Sequence, residues 1–352
     1  MIADTTVPQD RRRTARRAHV WLTALLVLIS IASLAIGASG TSLWGALQKL
    51  VSGQPLSQTE QVVLWDIRMP RMILGICVGA SLAVSGAVMQ GLFRNPLADP
   101  GIVGVSAGAS LGAITAIVLS GLLPLAAMAW LGFWLVPLAA FLGGWGSTIL
   151  LYRVSTRRGR TSVATMLLAG IALGALAGAL SGILVYMADD AQLRDLTFWG
   201  LGSLAGATWA KVLVAGPVIV LSILVATSLG HGLNGLAFGE ATASHMGIPV
   251  QRIKNAAILA VAAATGAAVA VSGGIGFIGI VVPHLLRLST GPDHQPLLLN
   301  AALLGASLLL VADVISRVII APAELPIGIV TAVLGAPVFL WILLRRRGLV
   351  DL

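Results

Sequence analysis

The segment 67–113, IRMPRMILGICVGASLAVSGAVMQGLFRNPLADPGIVGVSAGASLGA, decides the fold of this chain. Two apolar runs of membrane-spanning length enclose a polar turn that contains Pro96 and Pro100. Each proline removes a backbone donor and disfavours helix in the residue before it. Irregular backbone near membrane depth is tolerated where protein buries it or where it lines a water-filled cavity. The segment therefore predicts a membrane protein in which an irregular turn between two spans has a functional role. An ordinary loop is the alternative.

The composition agrees with a membrane protein. Of the 352 residues, 57% are hydrophobic and only 10% are charged, which is more apolar surface than a soluble domain can bury. Cys77 is the only cysteine, so the chain forms no internal disulfide. Lipid is thus the expected solvent for most of the chain.

Apolar runs of about 17 to 25 residues predict a polytopic all-α protein with ten transmembrane helices. A basic segment precedes the first run, as in a signal peptide, but we expect this run to be retained as a helix. A basic N-terminal tail is expected at 1–19, a membrane domain at 20–347 and a C-terminal tail at 348–352. The ten helices are predicted near 20–38, 69–91, 101–121, 130–152, 164–187, 209–229, 255–272, 276–290, 296–320 and 326–345.

The basic residues predict the orientation. With both termini in the cytoplasm, 16 of the 22 lysines and arginines fall in the inner loops and tails. The formal net charge of +9 is then a topology signal. Nucleic-acid binding is disfavoured because no soluble basic domain remains outside the predicted spans.

Glycines recur at every fourth position of the predicted fifth helix, at Gly170, Gly174, Gly178 and Gly182. Small residues at this spacing allow another backbone to approach closely in lipid. Two interpretations follow: tight packing within the helix bundle, or a helix that slides or lines a pathway.

The longest polar stretch on the predicted inner side lies at about 236–250. Its residues from Gly239 to Met246 are expected to form a short helix, with Gly247 as its stop and Pro249 beyond. A small-residue helix on the inner surface suits insertion into a soluble partner.

Several separated motifs occur in one order: RMPR, SGAVMQGLFRNPLADPGIVGVSAGASLG, FGEATASHMGI, GGIGFIGIVVPHLLRLSTGPDH and ELPIGIVTAVLGAPVFLWILLRR. Together they resemble the permease family of ATP-driven (ABC) importers for iron chelates, haem and cobalamin. The resemblance covers the chain after about Arg17.

The resemblance implies a homodimer in the bacterial inner membrane, with two cytoplasmic ATPase subunits below it and a periplasmic substrate-binding protein above it. The translocation pathway would lie at the dimer axis. None of the three lysines follows a glycine, so the GxxxxGK[ST] phosphate loop is missing. ATP and Mg²⁺ are therefore expected on the partner chain, and this chain is expected to be a transport subunit rather than an enzyme, with no cofactor.

The resemblance also assigns residues to three sites. The binding protein would be met by Arg68, Arg71 and Arg317, because guanidinium groups pair directionally with carboxylates. For Arg317, an ion pair with Asp313 at i and i+4 is an alternative. The remaining assignments are an inner gate at Asn95, Leu97, Thr161 and Ser162, and an ATPase-coupling helix with Glu240, Ala241, Ser244, His245, Met246 and Gly247.

The histidines do not predict a metal site. His284 and His294 stand in motifs shared by permeases for unrelated chelates, so structural roles are expected for them, and Met89 is expected in the core. The run 91–113 looks closest to haem permeases, with ferric siderophore and then cobalamin permeases as alternatives.

Two other classes of protein are less well supported. An ion-gradient transporter needs buried ionisable groups along its path, and Asp313 is the only acid well inside a predicted span. A membrane enzyme needs a catalytic constellation, and none is visible.

Overall fold

The computed structural model describes residues 8–37, 40–158 and 160–345 of the chain. Within these ranges the fold is helical apart from one short hairpin. The α-helices and strands are α1 (Pro8–Ala35), α2 (Leu43–Val51), α3 (Gln58–Gln61), α4 (Met69–Leu92), α5 (Val105–Leu119), α6 (Leu125–Leu131), α7 (Leu135–Ser155), β1 (Thr156–Arg157), β2 (Arg160–Thr161), α8 (Val163–Met187), α9 (Asp190–Leu201), α10 (Trp209–Ser228), α11 (Gly230–Leu236), α12 (Glu240–His245), α13 (Val250–Ser272), α14 (Ile278–Thr290), α15 (His294–Val318) and α16 (Ile327–Arg345). A π-helix spans Val62–Arg68, and 3₁₀ turns span Pro100–Val103, Ser120–Leu122 and Gly132–Trp134.

The ten predicted spans are confirmed as apolar helices. In the described part of the chain, eight helical stretches are long and apolar enough to cross a membrane, and α14 and α16 are shorter apolar helices. The ten correspond in order to α1, α4, α5, α7, α8, α10, α13, α14, α15 and α16.

Several helix boundaries differ from the prediction, and the starts of α1 and α5 are two examples. The helix α1 begins at Pro8, so residues 8–19 of the predicted tail are helical. Proline is favoured in the first helical turn, and the arginines and alanines after it are good helix formers. The third span was predicted from 101, but α5 begins at Val105, after a 3₁₀ turn and Gly104 at φ +74°. The predicted C-terminal tail, 348–352, lies outside the described residues.

The core lies between α4, α13 and α15. In the most apolar stretch of α4 and of α13, 78% of residues are buried, against 6% in α7 and 11% in α8. A Cβ on Gly79 of α4 would lie only 2.4 Å from the carbonyl oxygen of Gly305 in α15. Small residues thus bring the central helices into backbone contact, as is usual in lipid.

The two ends of the bundle carry different groups. At one end, here called the α12 end, lie α12, the β1–β2 hairpin, the last turn of α4 and the first turns of α1, α13 and α15. His19 of α1 meets Asn300 of α15 there, with Nδ1 and Oδ1 3.1 Å apart. At the other end, the arginine end, lie Arg68, Arg71 and Arg317.

Candidate functional site

The three arginines predicted to meet a partner protein lie together at the arginine end, and all three are buried. Between two of them stands Asp313 of α15, 2.9 Å from Arg71 Nε and 3.1 Å from Arg317 Nε. The alternative pairing of Arg317 with Asp313 is therefore confirmed. Arg71 Nη1 also lies 2.9 Å from Glu324 Oε1. Each buried charge in this network has a partner, as burial in a low-dielectric interior demands.

Arg68 and Arg317 also hold the end of α1. Arg68 Nη1 donates to the Leu34 carbonyl at 2.6 Å, and Arg317 donates to the carbonyls of Ser33 and Ile36. Cations at a helix C-terminus satisfy its last carbonyl groups and oppose its dipole. These arginines thus bind within the chain, and their role in docking stays a prediction.

The predicted inner gate begins with the NPL turn, 95–97, at the α12 end. Asn95 Oδ1 accepts a hydrogen bond from the Leu97 amide at 3.0 Å, which is the local bond that stabilises an Asx turn. Both side chains are exposed. Asp99 follows, half-buried, and accepts from the Gly101 amide at 2.8 Å. Desolvation raises the pKa of the Asp99 carboxyl above its ordinary value, and the Gly101 hydrogen bond partly opposes this rise.

The other two predicted gate residues have different surroundings. Ser162 is exposed and caps α8 by accepting from the Thr165 amide. Thr161 is buried, and Gln251 of α13 binds it twice, at its amide (3.0 Å) and at its hydroxyl (2.6 Å). Thr161 therefore joins the hairpin to α13, and its gating role stays a prediction.

The short helix predicted at 239–246 is confirmed as α12, and Gly247 ends it at φ +77°. Ala243 is fully buried and anchors the helix. The assigned ATPase-contact residues all lie exposed: Glu240, Ala241, Ser244, His245, Met246 and Gly247. One side of α12 is therefore packed against the protein, and the other side is exposed.

A buried lysine connects α12 to the hairpin before α8. Lys254 Nζ lies 2.5 Å from Glu240 Oε1 and donates to the Thr161 carbonyl at 2.7 Å. Its side chain is only 3% exposed, whereas the Glu240 side chain is 48% exposed, so the link runs from the protein surface into the interior. Sequence reasoning missed Lys254, because neither the 14-residue separation from Glu240 nor the 93 from Thr161 leaves a pattern.

The glycines of α8 do not pack within the chain as one interpretation expected. A Cβ on Gly174, Gly178 or Gly182 would meet no atom of the described residues within 4 Å, whereas Gly170 is buried. This face of α8 lies open along three of its four glycines. The second interpretation, a helix that slides or lines a pathway, stays a prediction.

Two histidines have structural partners: His19 meets Asn300, and His294 Nδ1 lies 2.9 Å from Asn234 Oδ1. Among the described residues, no three His, Cys, Asp or Glu side chains gather as metal ligands would. The absence of a cofactor stays a prediction.

Comparison with known proteins identifies the family of this chain. The model of the FecCD transport family matches residues 25–345. The hemin transport system permease protein HmuU of Yersinia pestis is 43% identical over 93% of this chain and 95% of its own length. The vitamin B12 import system permease protein BtuC of Salmonella typhi is 41% identical over 97% of this chain and 98% of its own.

A solved structure, described as an inward-facing conformation of a metal-chelate type ABC transporter, superposes with a TM-score of 0.82 and 32% identity. The match covers 94% of this chain and 99% of that one. The chain therefore belongs to the FecCD transport family, as the membrane permease subunit of an ABC importer whose ATPase is a separate chain.

Proposed function

We propose that this permease forms a homodimer that carries haem across the bacterial inner membrane. The similarity to a hemin permease supports haem as the cargo. The nearly equal similarity to a vitamin B12 permease makes cobalamin a competing cargo, with ferric siderophores as a third. The observation that carries the transport mechanism is the buried link from the exposed helix α12 to the start of α8.

The α12 end faces the cytoplasm in this proposal. The positive-inside rule places the Lys- and Arg-rich loops there. The exposed residues of α12 then form the contact with the ATPase, while Ala243 fixes the helix to the bundle. The arginine end faces the periplasm and the substrate-binding protein.

The link through Lys254 transmits the movement of the ATPase. When nucleotide closes the ATPase dimer, α12 shifts, and Glu240 pulls on Lys254. Lys254 holds the Thr161 carbonyl, so the hairpin moves, and with it α8. A rigid element with two positions can thus open or close the path.

The path itself runs along the open face of α8. Gly178 and Gly182 are exposed there and present almost no side chain, which suits a weakly binding passage for a bulky substrate. Selectivity belongs to the binding protein, which meets the substrate first. The second copy of the chain completes the wall.

The test uses vesicles containing the permease, its ATPase and ATP, with the binding protein loaded with haem, a ferric siderophore or cobalamin in turn. We expect ATP-dependent uptake of haem. Uptake of cobalamin or a siderophore in its place would refute haem as the cargo, and uptake driven by an ion gradient without ATP would refute the importer mechanism.

A substitution of Lys254 tests the transmission of movement from α12 to α8. Lys254→Met removes the charge that holds Glu240 and Thr161, and should leave ATP hydrolysis in place while uptake per ATP falls at least tenfold. Lys49→Met, which breaks an ion pair with Glu60 away from α12, is the matched control. Normal uptake by Lys254→Met would exclude the link from coupling.

A further inference from the structure

A half-buried carboxylate, that of Asp99, lines a cavity behind the NPL turn. The cavity has a volume of about 240 Å³ and lies between α4, α5, α13 and the loop before α14. Its oxygen-bearing side chains belong to Asp99, Ser106, Ser110 and Thr265. Among the described residues that line it, none is a lysine, arginine or histidine.

One hydroxyl group in this cavity, that of Thr265, lacks the hydrogen bond that many helix hydroxyls make. Thr148, for example, donates to the Gly144 carbonyl in the preceding turn at 2.9 Å, whereas Ser81 and Ser155 resemble Thr265 in having no partner within the described residues. Thr265 is 2% exposed, and its Oγ1 has no hydrogen-bond partner within the described residues. Ser106 and Ser110 stand one helical turn apart on α5 and share a face toward the cavity. A buried hydroxyl without a hydrogen-bond partner costs free energy. We therefore expect the cavity to contain a ligand that contacts this hydroxyl.

The charge balance indicates the sign of the occupant. Asp313 at the arginine end is neutralised by two arginines. Asp99 has no ion pair among the described residues, and its Oδ1 accepts only the Gly101 amide. A carboxylate that is partly withdrawn from water and has no counter-charge favours the binding of a proton or a cation.

We propose that this cavity binds a sodium ion, with Asp99 and the hydroxyls of Ser106, Ser110 and Thr265 supplying its oxygen ligands. Hard cations take carboxylate, hydroxyl and water oxygens, and membrane transporters place such sites where helices are interrupted. Here the interruption is the 3₁₀ turn Pro100–Val103. The volume leaves room for water molecules that complete the coordination shell. The ion would tie the start of α5 to α13.

The experiment measures equilibrium binding of ²²Na⁺ to the full chain in lipid nanodiscs, with choline chloride holding the ionic strength constant. We expect saturable binding of a single ion per chain. Affinity should fall at least tenfold in Asp99→Asn and in Thr265→Val. Thr148→Val removes a helix hydroxyl of equal burial outside the cavity and should bind as the unaltered chain does.

The absence of saturable ²²Na⁺ binding by the unaltered chain would overturn the proposal and leave the cavity to water and a protonated Asp99. Binding that persists in either cavity variant would overturn it as well, since the ion would then lie elsewhere. Should Asp99→Asn fail to fold, Thr265→Val decides. The assay requires no transport, so its outcome is independent of the cargo.

Discussion

Two glycine-rich helix faces in this protein have opposite surroundings. Between α5 and α7, a Cβ on Gly108 would lie 2.3 Å from the Gly143 carbonyl oxygen, and one on Gly112 would lie 2.1 Å from that of Ala139. On α8, a Cβ at Gly174, Gly178 or Gly182 would meet nothing within 4 Å. Glycine therefore has two roles here. It allows α5 and α7 to pack within one chain, and it leaves one face of α8 without a neighbour among the described residues.

These different surroundings indicate the role of the glycine face of α8. Both α7 and the other faces of α8 expose large side chains, such as Leu142 and Ile171, as lipid-facing helices should. A row of glycines offers lipid little to pack against, but it allows another backbone to approach or a large substrate to pass. We infer that the second copy of the chain and the pathway account for this face.

Gly108→Val should have the largest effect, because the new side chain collides with backbone of α7. We expect no folded protein in the membrane fraction, measured by fluorescence-detected size-exclusion chromatography. Gly146→Val on α7 is the matched control, since a Cβ there meets nothing within 4 Å. A stable Gly108→Val variant would show that the two helices can separate.

Asp313→Asn should come next, because it removes the buried carboxylate that lies between Arg71 and Arg317. Removal of one partner from a buried ion network costs about 3 to 5 kcal/mol. Thermal unfolding in detergent should show a clear fall in the midpoint. Lys49→Met, at an ion pair near the surface, should lower the unfolding midpoint much less. Equal effects of the two substitutions would contradict the assigned burial.

Gly178→Val should leave the stability of the subunit unchanged and still reduce ATP-dependent uptake at least tenfold. The valine adds bulk to the open face of α8, where a Cβ at Gly178 meets no described atom within 4 Å. Uptake into vesicles and unfolding midpoints are measured on the same preparations. Normal uptake would remove this face from the pathway and from the dimer contact.

Gly266→Ala should have the smallest effect, and it should stabilise the protein rather than destabilise it. The nearest atom to its Cβ would be Phe141 Cδ2 at 3.6 Å, an ordinary van der Waals distance. Alanine in a helix interior is preferred over glycine by up to about 1 kcal/mol. The unfolding midpoint should rise slightly, and a fall would show tighter packing of α13 than the distances indicate.

The ten spans were predictable because apolar length alone identifies a membrane helix. The Asp313–Arg317 pair was predictable because it lies one turn apart on one helix. The helix α9 was missed because its charged residues and 12-residue length do not resemble a span. The site contacts that matter most could not be predicted, since Lys254 meets Thr161, and Asp99 shares a cavity with Thr265, only after the helices pack.

The most direct test of the central claim is native mass spectrometry of the 36.1 kDa chain released from nanodiscs. We expect the unaltered protein and Gly146→Trp to appear as dimers, and Gly178→Trp to appear as a folded monomer. A monomeric unaltered chain, or a Gly178→Trp variant that dimerises as the unaltered chain does, would contradict the account.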